Sequence, residues 1–286
     1  VLCLAGCDSS SDGQGEDKRK ADTKSEAKAD AKADAKADAK ADAKADAKAD
    51  AKAGVASVAQ QAANDAKARP SSEADAKITA AIEALGGAAT IQALESFHSV
   101  ATLEIKGQGM SAKVETWWKG GDFYVESNMT GVGTTRAWKK GAETWSEDPI
   151  SGKRKLEGRE AEQTAWGASV SLLVEHSKFF ANVELGQTRT EGETEVVDLV
   201  FTSPDGAKVT ISLDNKTHLP FSQSFNQSSP MGETPVTTFF EDYREVAGIQ
   251  IPFKTRTSLT IVEAVTTTNT WEPNVTIDDA KFVPPT

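Results

Sequence analysis

The chain has 286 residues, 38% of them hydrophobic and 26% charged, with a formal net charge of −11 and two cysteines, Cys3 and Cys7. The surplus of acid argues against a nucleic-acid partner, whose phosphates require a basic face, and against flat electrostatic docking on anionic lipid. No cysteine follows Cys7, which excludes a disulfide framework, a thiolate metal site and a cysteine nucleophile, and no stretch nears the roughly 20 apolar residues that cross a bilayer as a helix.

The chain begins Val1-Leu2-Cys3-Leu4-Ala5-Gly6-Cys7, an apolar run closing in small residues, and the polar Asp8-Ser9-Ser10-Ser11-Asp12 follows at once. Such a run reads as the end of a bacterial secretion signal without its basic start. Leu4-Ala5-Gly6-Cys7 resembles the lipobox of bacterial lipoproteins, and the resemblance implies loss of residues 1–6 and acylation of Cys7 as the mature N-terminus. One acyl chain holds only marginally, so the multiply acylated cysteine of a lipoprotein is an adequate anchor. The chain is therefore expected in the bacterial envelope, bound to a membrane through lipidated Cys7. Asp8 resembles an inner-membrane retention signal, but that rule varies among bacteria, and the outer membrane facing the periplasm is the expected site.

Residues 7–71 are expected to be anchor and tether. From Ala27 the unit Ala-Lys-Ala-Asp repeats six times through Asp50, with no β-branched or aromatic residue, so the segment cannot build a core. Alanine favours helix, yet the four-residue period sets Lys28, Lys32 and Lys36, and likewise Asp30, Asp34 and Asp38, in like-charge register. As helix, residues 27–53 would span about 40 Å, and the whole stretch to Ser71 as coil has a comparable mean reach, so either state makes a spacer. The tether is neutral overall, so the whole net charge of −11 lies from Ser72 onward.

Residues 72–286 are long enough for one domain with one sizeable core. Ser72 and Asp75 are spaced as a capping box, Ala74, Ile78, Ala81, Ile82 and Leu85 recur on one helical face, and Gly86-Gly87 ends the helix. From Phe97 the period becomes two, with Phe97, Ser99, Ala101, Leu103 and Ile105 against His98, Thr102, Glu104 and Lys106. Similar alternation predicts strands at 110–118, 123–129, 134–140, 195–202, 208–213, 221–227, 235–243, 253–265 and 266–275, separated by turns such as Lys119-Gly120-Gly121-Asp122 and Pro204-Asp205-Gly206. A second helix is expected around Trp166, Val170, Leu173 and Val174.

The fold class is thus mainly β: a curved antiparallel sheet or half-open barrel of about ten strands, covered by one or two helices. Met110, Trp118, Phe123, Met129, Trp138, Phe201, Phe221, Phe225, Phe239 and Trp271 read as inward-facing. Singly, each is an ordinary core residue. Together they are the candidate lining of a lipid cavity, since helices held over an unclosed sheet by apolar packing can admit an acyl chain.

Leu85-Gly86-Gly87-Ala88, Ile91 to Leu94 and an alternating strand are similar to the start of the LolA-like superfamily, which includes outer-membrane lipoprotein-sorting proteins. Leu219-Pro220, Glu241-Asp242-Tyr243-Arg244, Val246-Ala247-Gly248-Ile249-Gln250-Ile251-Pro252-Phe253 and Ile277-Asp278-Asp279-Ala280-Lys281-Phe282 resemble its C-terminal part, in the expected order. The resemblance implies a half-open barrel whose apolar interior takes lipid or the acyl chains of lipoproteins. The usual carrier is soluble, so an anchor at Cys7 departs from a shuttle and favours a fixed acceptor, insertion factor or sensor.

Catalytic signals are weak. His98, His176 and His218 lie far apart without metal-ligand spacing, and no cofactor motif stands out. Gly167-Ala168-Ser169-Val170-Ser171 approaches a nucleophile elbow but lacks the closing glycine, so Ser169 reads as helix surface. Gly131-Val132-Gly133-Thr134 reads as a hairpin rather than a phosphate cradle, for want of a following helix. The expected role is binding without catalysis; the rivals are an envelope sensor or protein-binding module with a packed interior, and an envelope enzyme.

Overall fold

The computed structural model describes residues 73–284 apart from Ala168 and Ile261. Cys7, the tether and the capping role of Ser72 lie outside the described residues.

The described residues begin with α1 (Glu73–Ala84), which buries Ala74, Ile78 and Ala81 on one face. Its end is set by the two glycines: Gly87 N–H donates to Ile82 O at 2.9 Å while Gly86 and Gly87 take φ of 117° and 85°, a glycine-closed C-terminus. A short helix α2 (Ala88–Gln92) leads into the sheet.

Thirteen antiparallel strands follow: β1 (Ser96–Ile105), β2 (Met110–Lys119), β3 (Asp122–Met129), β4 (Gly133–Lys140), β5 (Glu143–Asp148), β6 (Gly152–Lys155), β7 (Asn182–Glu191), β8 (Thr194–Thr202), β9 (Lys208–Asp214), β10 (Pro220–Ser229), β11 (Gly232–Val246), β12 (Ile249–Leu259) and β13 (Val262–Pro273). Their order is β6-β5-β4-β3-β2-β1-β13-β12-β11-β10-β9-β8-β7. Two meanders, β1–β6 and β7–β13, are thus joined by the pairing of β1 with β13. Strands β6 and β7 are sequence neighbours yet form opposite edges, so the sheet is curved and unclosed. Between them run α3 (Gly158–Gly167), the single turn α4 (Leu172–Glu175) and a 3₁₀ turn at His176–Lys178.

The mainly β architecture agrees with the sequence expectation, and ten predicted strands become thirteen. The additions have physical reasons. Strands β5 and β6 are short, and β7 is an edge strand exposed along most of its length and irregular between Leu185 and Thr188, so it carries no alternation of apolar and polar residues. The last hairpin also turns earlier than expected: Leu259 pairs with Val262, not at the predicted break between Val265 and Thr266. That turn has no Gly, Asn, Asp or Pro to mark it.

Candidate functional site

Register assigns the faces. On β1–β3 the side chains of Leu103, Ala112 and Met129 share a line, as do Phe97, Trp118 and Phe123; on β8–β10, Phe201, Val209 and Phe225 share another. These residues occupy the face that the helices cover. Two apolar clusters form there. The first gathers Leu103, Val114, Trp118, Phe123 and Val125 beneath Ile91, Leu94, Val170 and Val174. The second gathers Leu199, Phe201, Val209, Ile211 and Leu213 beneath Ile78, Trp166, Leu173 and Phe180. Leu85, at the end of α1, packs against both.

Helix α3 bridges the two halves of the sheet. On one side Arg154 of β6 pairs with Glu160. On the other, the Gln163 amide donates to Asn226 O at 2.7 Å and accepts from Ser228 N–H at 2.8 Å, pairing with the β10 backbone as a strand residue would. Arg159 reaches Asp205 at 2.8 Å and Glu233 at 2.9 Å. Helix α1 is tied by Lys77 Nζ donating to Asn215 Oδ1 at 2.7 Å. Gln250 N–H of β12 donates to Leu85 O at the end of α1 at 3.0 Å, and side-chain packing supplies most of the remaining attachment.

Seven of the ten predicted lining residues belong to these clusters: Met110, Trp118, Phe123, Met129 and Trp271 to the first, Phe201 and Phe225 to the second. Three are placed elsewhere. Trp138 pairs in register with Tyr124 and packs with Ile277 and Phe282 on the opposite face. Phe239 pairs with Arg256 and lies under its guanidinium, 4.1 Å from carbon to ring centroid, with Phe221 edge-on to it at 5.9 Å. Strand β4 buries Ala137 and Trp138 alike, so the larger residue was no guide to the helix side.

Ser169 is buried in the connection between α3 and α4, not on a helix surface, and donates to Glu175 Oε2 at 2.6 Å. His176 stands with Nδ1 2.7 Å from Leu173 O and its ring against Phe201; His98 and His218 are on separate elements. Among the described residues no three potential metal-ligating side chains converge. The adjacent acids Glu241 and Asp242 are engaged separately, Glu241 with Lys254 and Arg256 and Asp242 with Arg244, and Asp279 pairs with Lys119.

The face away from the helices carries a feature that sequence reasoning missed. One ring per strand lines up across β1–β5, with register pairing His98 to Trp117, Trp117 to Tyr124, Tyr124 to Trp138 and Trp138 to Trp145. The first two pairs stack with centroids 4.8 and 5.4 Å apart, and the third is tilted at 5.4 Å. Its signal was the neighbouring aromatics Trp117-Trp118 and Phe123-Tyr124, which must face opposite sides of a strand.

Beside this ladder, Glu126 accepts from Tyr124 Oη at 2.6 Å and from Arg136 Nε at 2.9 Å. The Tyr124 hydrogen bond, then Arg136, holds its carboxyl below the usual glutamate range. A depressed folded-state pKa contributes stability above the unfolded value that is lost as pH falls through the folded one. Thermal melts from about pH 6 to about pH 2 are therefore expected to show a shallower acid decline in Glu126→Gln than in the parent; parallel curves would count against this role.

No protein-family model and no curated protein matches the sequence. Among solved structures, the chain is similar to a DUF1329 family protein from Desulfovibrio piger, at 14% identity over 73% of this chain and 96% of that one, with a TM-score of 0.51. It is also similar to a putative outer membrane lipoprotein-sorting protein domain from Vibrio parahaemolyticus, at 14% identity over 73% of this chain and 97% of that one, with a TM-score of 0.50. At this identity the likeness is one of architecture, and the domain shares its fold with these two proteins.

Proposed function

We propose that the protein is an envelope lipoprotein, anchored through Cys7 at the outer membrane, whose domain takes up lipid or the acyl chains of lipoproteins between sheet and helices, without catalysis. One observation carries this reading: the helix-covered face of an unclosed sheet is apolar in both halves, and its cover is held chiefly by apolar packing. Each methylene moved there from water contributes about 0.8 kcal/mol. The fold shared with the Vibrio lipoprotein-sorting domain supports the reading by analogy. In a fixed acceptor of this kind the repeat tether supplies reach.

Acyl entry then requires helix α3 to lift from β10. Gln163→Ala removes two hydrogen bonds to the β10 backbone, worth about 1 kcal/mol each, and is expected to speed uptake of a fluorescent acyl probe by about thirty-fold. The direct test is native mass spectrometry of the full chain, then titration with that probe and competition by lipid. Saturable one-to-one uptake, lost in Phe225→Glu that keeps its near-ultraviolet circular dichroism, is the expected result.

The second reading, a protein-binding module with a packed interior, draws on the complete burial of Phe201, Leu199, Val209 and Leu213. A chain that copurifies without lipid and never takes up the probe would decide for it.

A further inference from the structure

The aromatic ladder stands on the face away from the helices, so acyl uptake on the covered face neither uses it nor depends on it. After β13 the chain turns back over the ladder as a strap. Ser96 Oγ donates to Val275 O at 2.6 Å, Lys119 pairs with Asp279 at 2.8 Å, and Ile277 and Phe282 pack on Tyr124 and Trp138. The strap also lays the Lys281 ammonium over the rings, 3.7 Å from the Trp117 centroid and 4.6 Å from that of Tyr124.

Between the strap and the β1 end of the ladder is a cleft of about 290 Å³, lined by His98, Trp117, Glu272, Asp278, Lys281 and the strap residues 275–277. Carboxylates flank the imidazole on both sides, Glu272 3.6 Å from Nδ1 and Glu115 3.9 Å from Nε2. The buried Nε2 makes no hydrogen bond among the described residues.

We propose that this cleft is a binding site for an organic ammonium group and that Lys281 is its internal occupant. Ring faces present negative potential and attract cations, more strongly where carboxylates add to the field. The same carboxylates oppose an anion. A neutral apolar guest would displace water from the Glu272 carboxylate without supplying a positive charge in its place, which is costly. Lys281 shows that an ammonium fits against Trp117, and its flexible stem lets the head yield to a guest of the same charge.

The test is nuclear magnetic resonance of the full chain, following the tryptophan indole signals during titration with choline, ethanolamine and dimethylbutanol, the neutral carbon isostere of choline. Choline should shift the Trp117 signal saturably, with the isostere at least about ten-fold weaker. Lys281→Met removes the internal competitor and should tighten choline about three- to ten-fold, while Glu272→Gln should weaken it by a similar factor. Trp117→Leu should abolish binding. Equal binding of choline and its isostere, or no saturable shift in either parent or Lys281→Met, would overturn the site, and both surface variants leave the apolar core intact. Sedimentation with phosphatidylethanolamine against phosphatidylglycerol vesicles separates the sources: selective pelleting with the former assigns a lipid headgroup, and choline saturation without vesicle preference assigns a free amine.

Discussion

Gly86→Ala is expected to destabilise the domain by about 3 kcal/mol or more, from a left-handed backbone penalty of about 1–2 kcal/mol and a backbone collision added to it. Gly86 has φ of 117°, and a Cβ there would be driven into the carbonyl oxygen of Gly248, which cannot swing aside as a flexible side chain could. The contact belongs to a wider junction: Gln250 N–H donates to Leu85 O at 3.0 Å, and Gly248 itself faces Thr90. Gly120→Ala is the control, because Gly120 also has a positive φ but nothing within 4 Å of a Cβ; its cost should stay near 1 kcal/mol. Urea unfolding followed by tryptophan fluorescence measures both. If the two variants unfold at the same urea concentration, the α1–β12 junction is not the tight contact described.

Phe201→Ala should lower the unfolding free energy by about 3–5 kcal/mol, the usual cost of truncating a wholly enclosed aromatic. Phe201 is 0% exposed, its ring 5.3 Å from Phe180 and 6.0 Å from His176, so the cavity would lie where the 3₁₀ turn and α1 meet the sheet. Phe221→Ala, half-buried on the other face, should cost less than half as much. Hydrogen exchange adds a spatial prediction: amides of α1 and of residues 172–180 should lose protection in Phe201→Ala before those of β11–β13, because the cover is held by the packing this substitution removes. Uniform loss across the domain would instead mean that sheet and helices open as one unit.

The junction around Gly86 also explains why separated sequence signals agreed. Leu85-Gly86-Gly87 and Val246-Ala247-Gly248-Ile249, which carried the resemblance from opposite ends of the domain, are in contact. Gly86 is required by the close approach of the Gly248 carbonyl, and Gly248 by its φ of 79° with the Thr90 methyl beside it, which is a physical reason for a glycine at each position. Alternation likewise identified the helix side of β1, β2 and β8, where that face is the more continuously apolar one. It failed for Trp138 on β4 and for Phe221 and Phe239 on β10 and β11, because those strands carry large side chains on both faces and β10 is irregular between Pro220 and Ser222. A period of two reports that faces differ, not which of two apolar faces the helices cover.

Composition and period alone determine an acidic, mainly β domain beyond a repeat unable to form a core, the helix that starts it, and most of its strands, because each depends on local patterning and turn residues. Tertiary structure decided what needs distant partners. It paired β1 with β13, leaving β6 and β7 as free edges, and carried α3 across the helix-covered face to β10. It drew His98, Trp117, Tyr124, Trp138 and Trp145 into one line under a strap that begins more than a hundred residues later. Turns set the register within each hairpin, but no local rule joins β1 to β13 or states which face the helices and which the strap will cover.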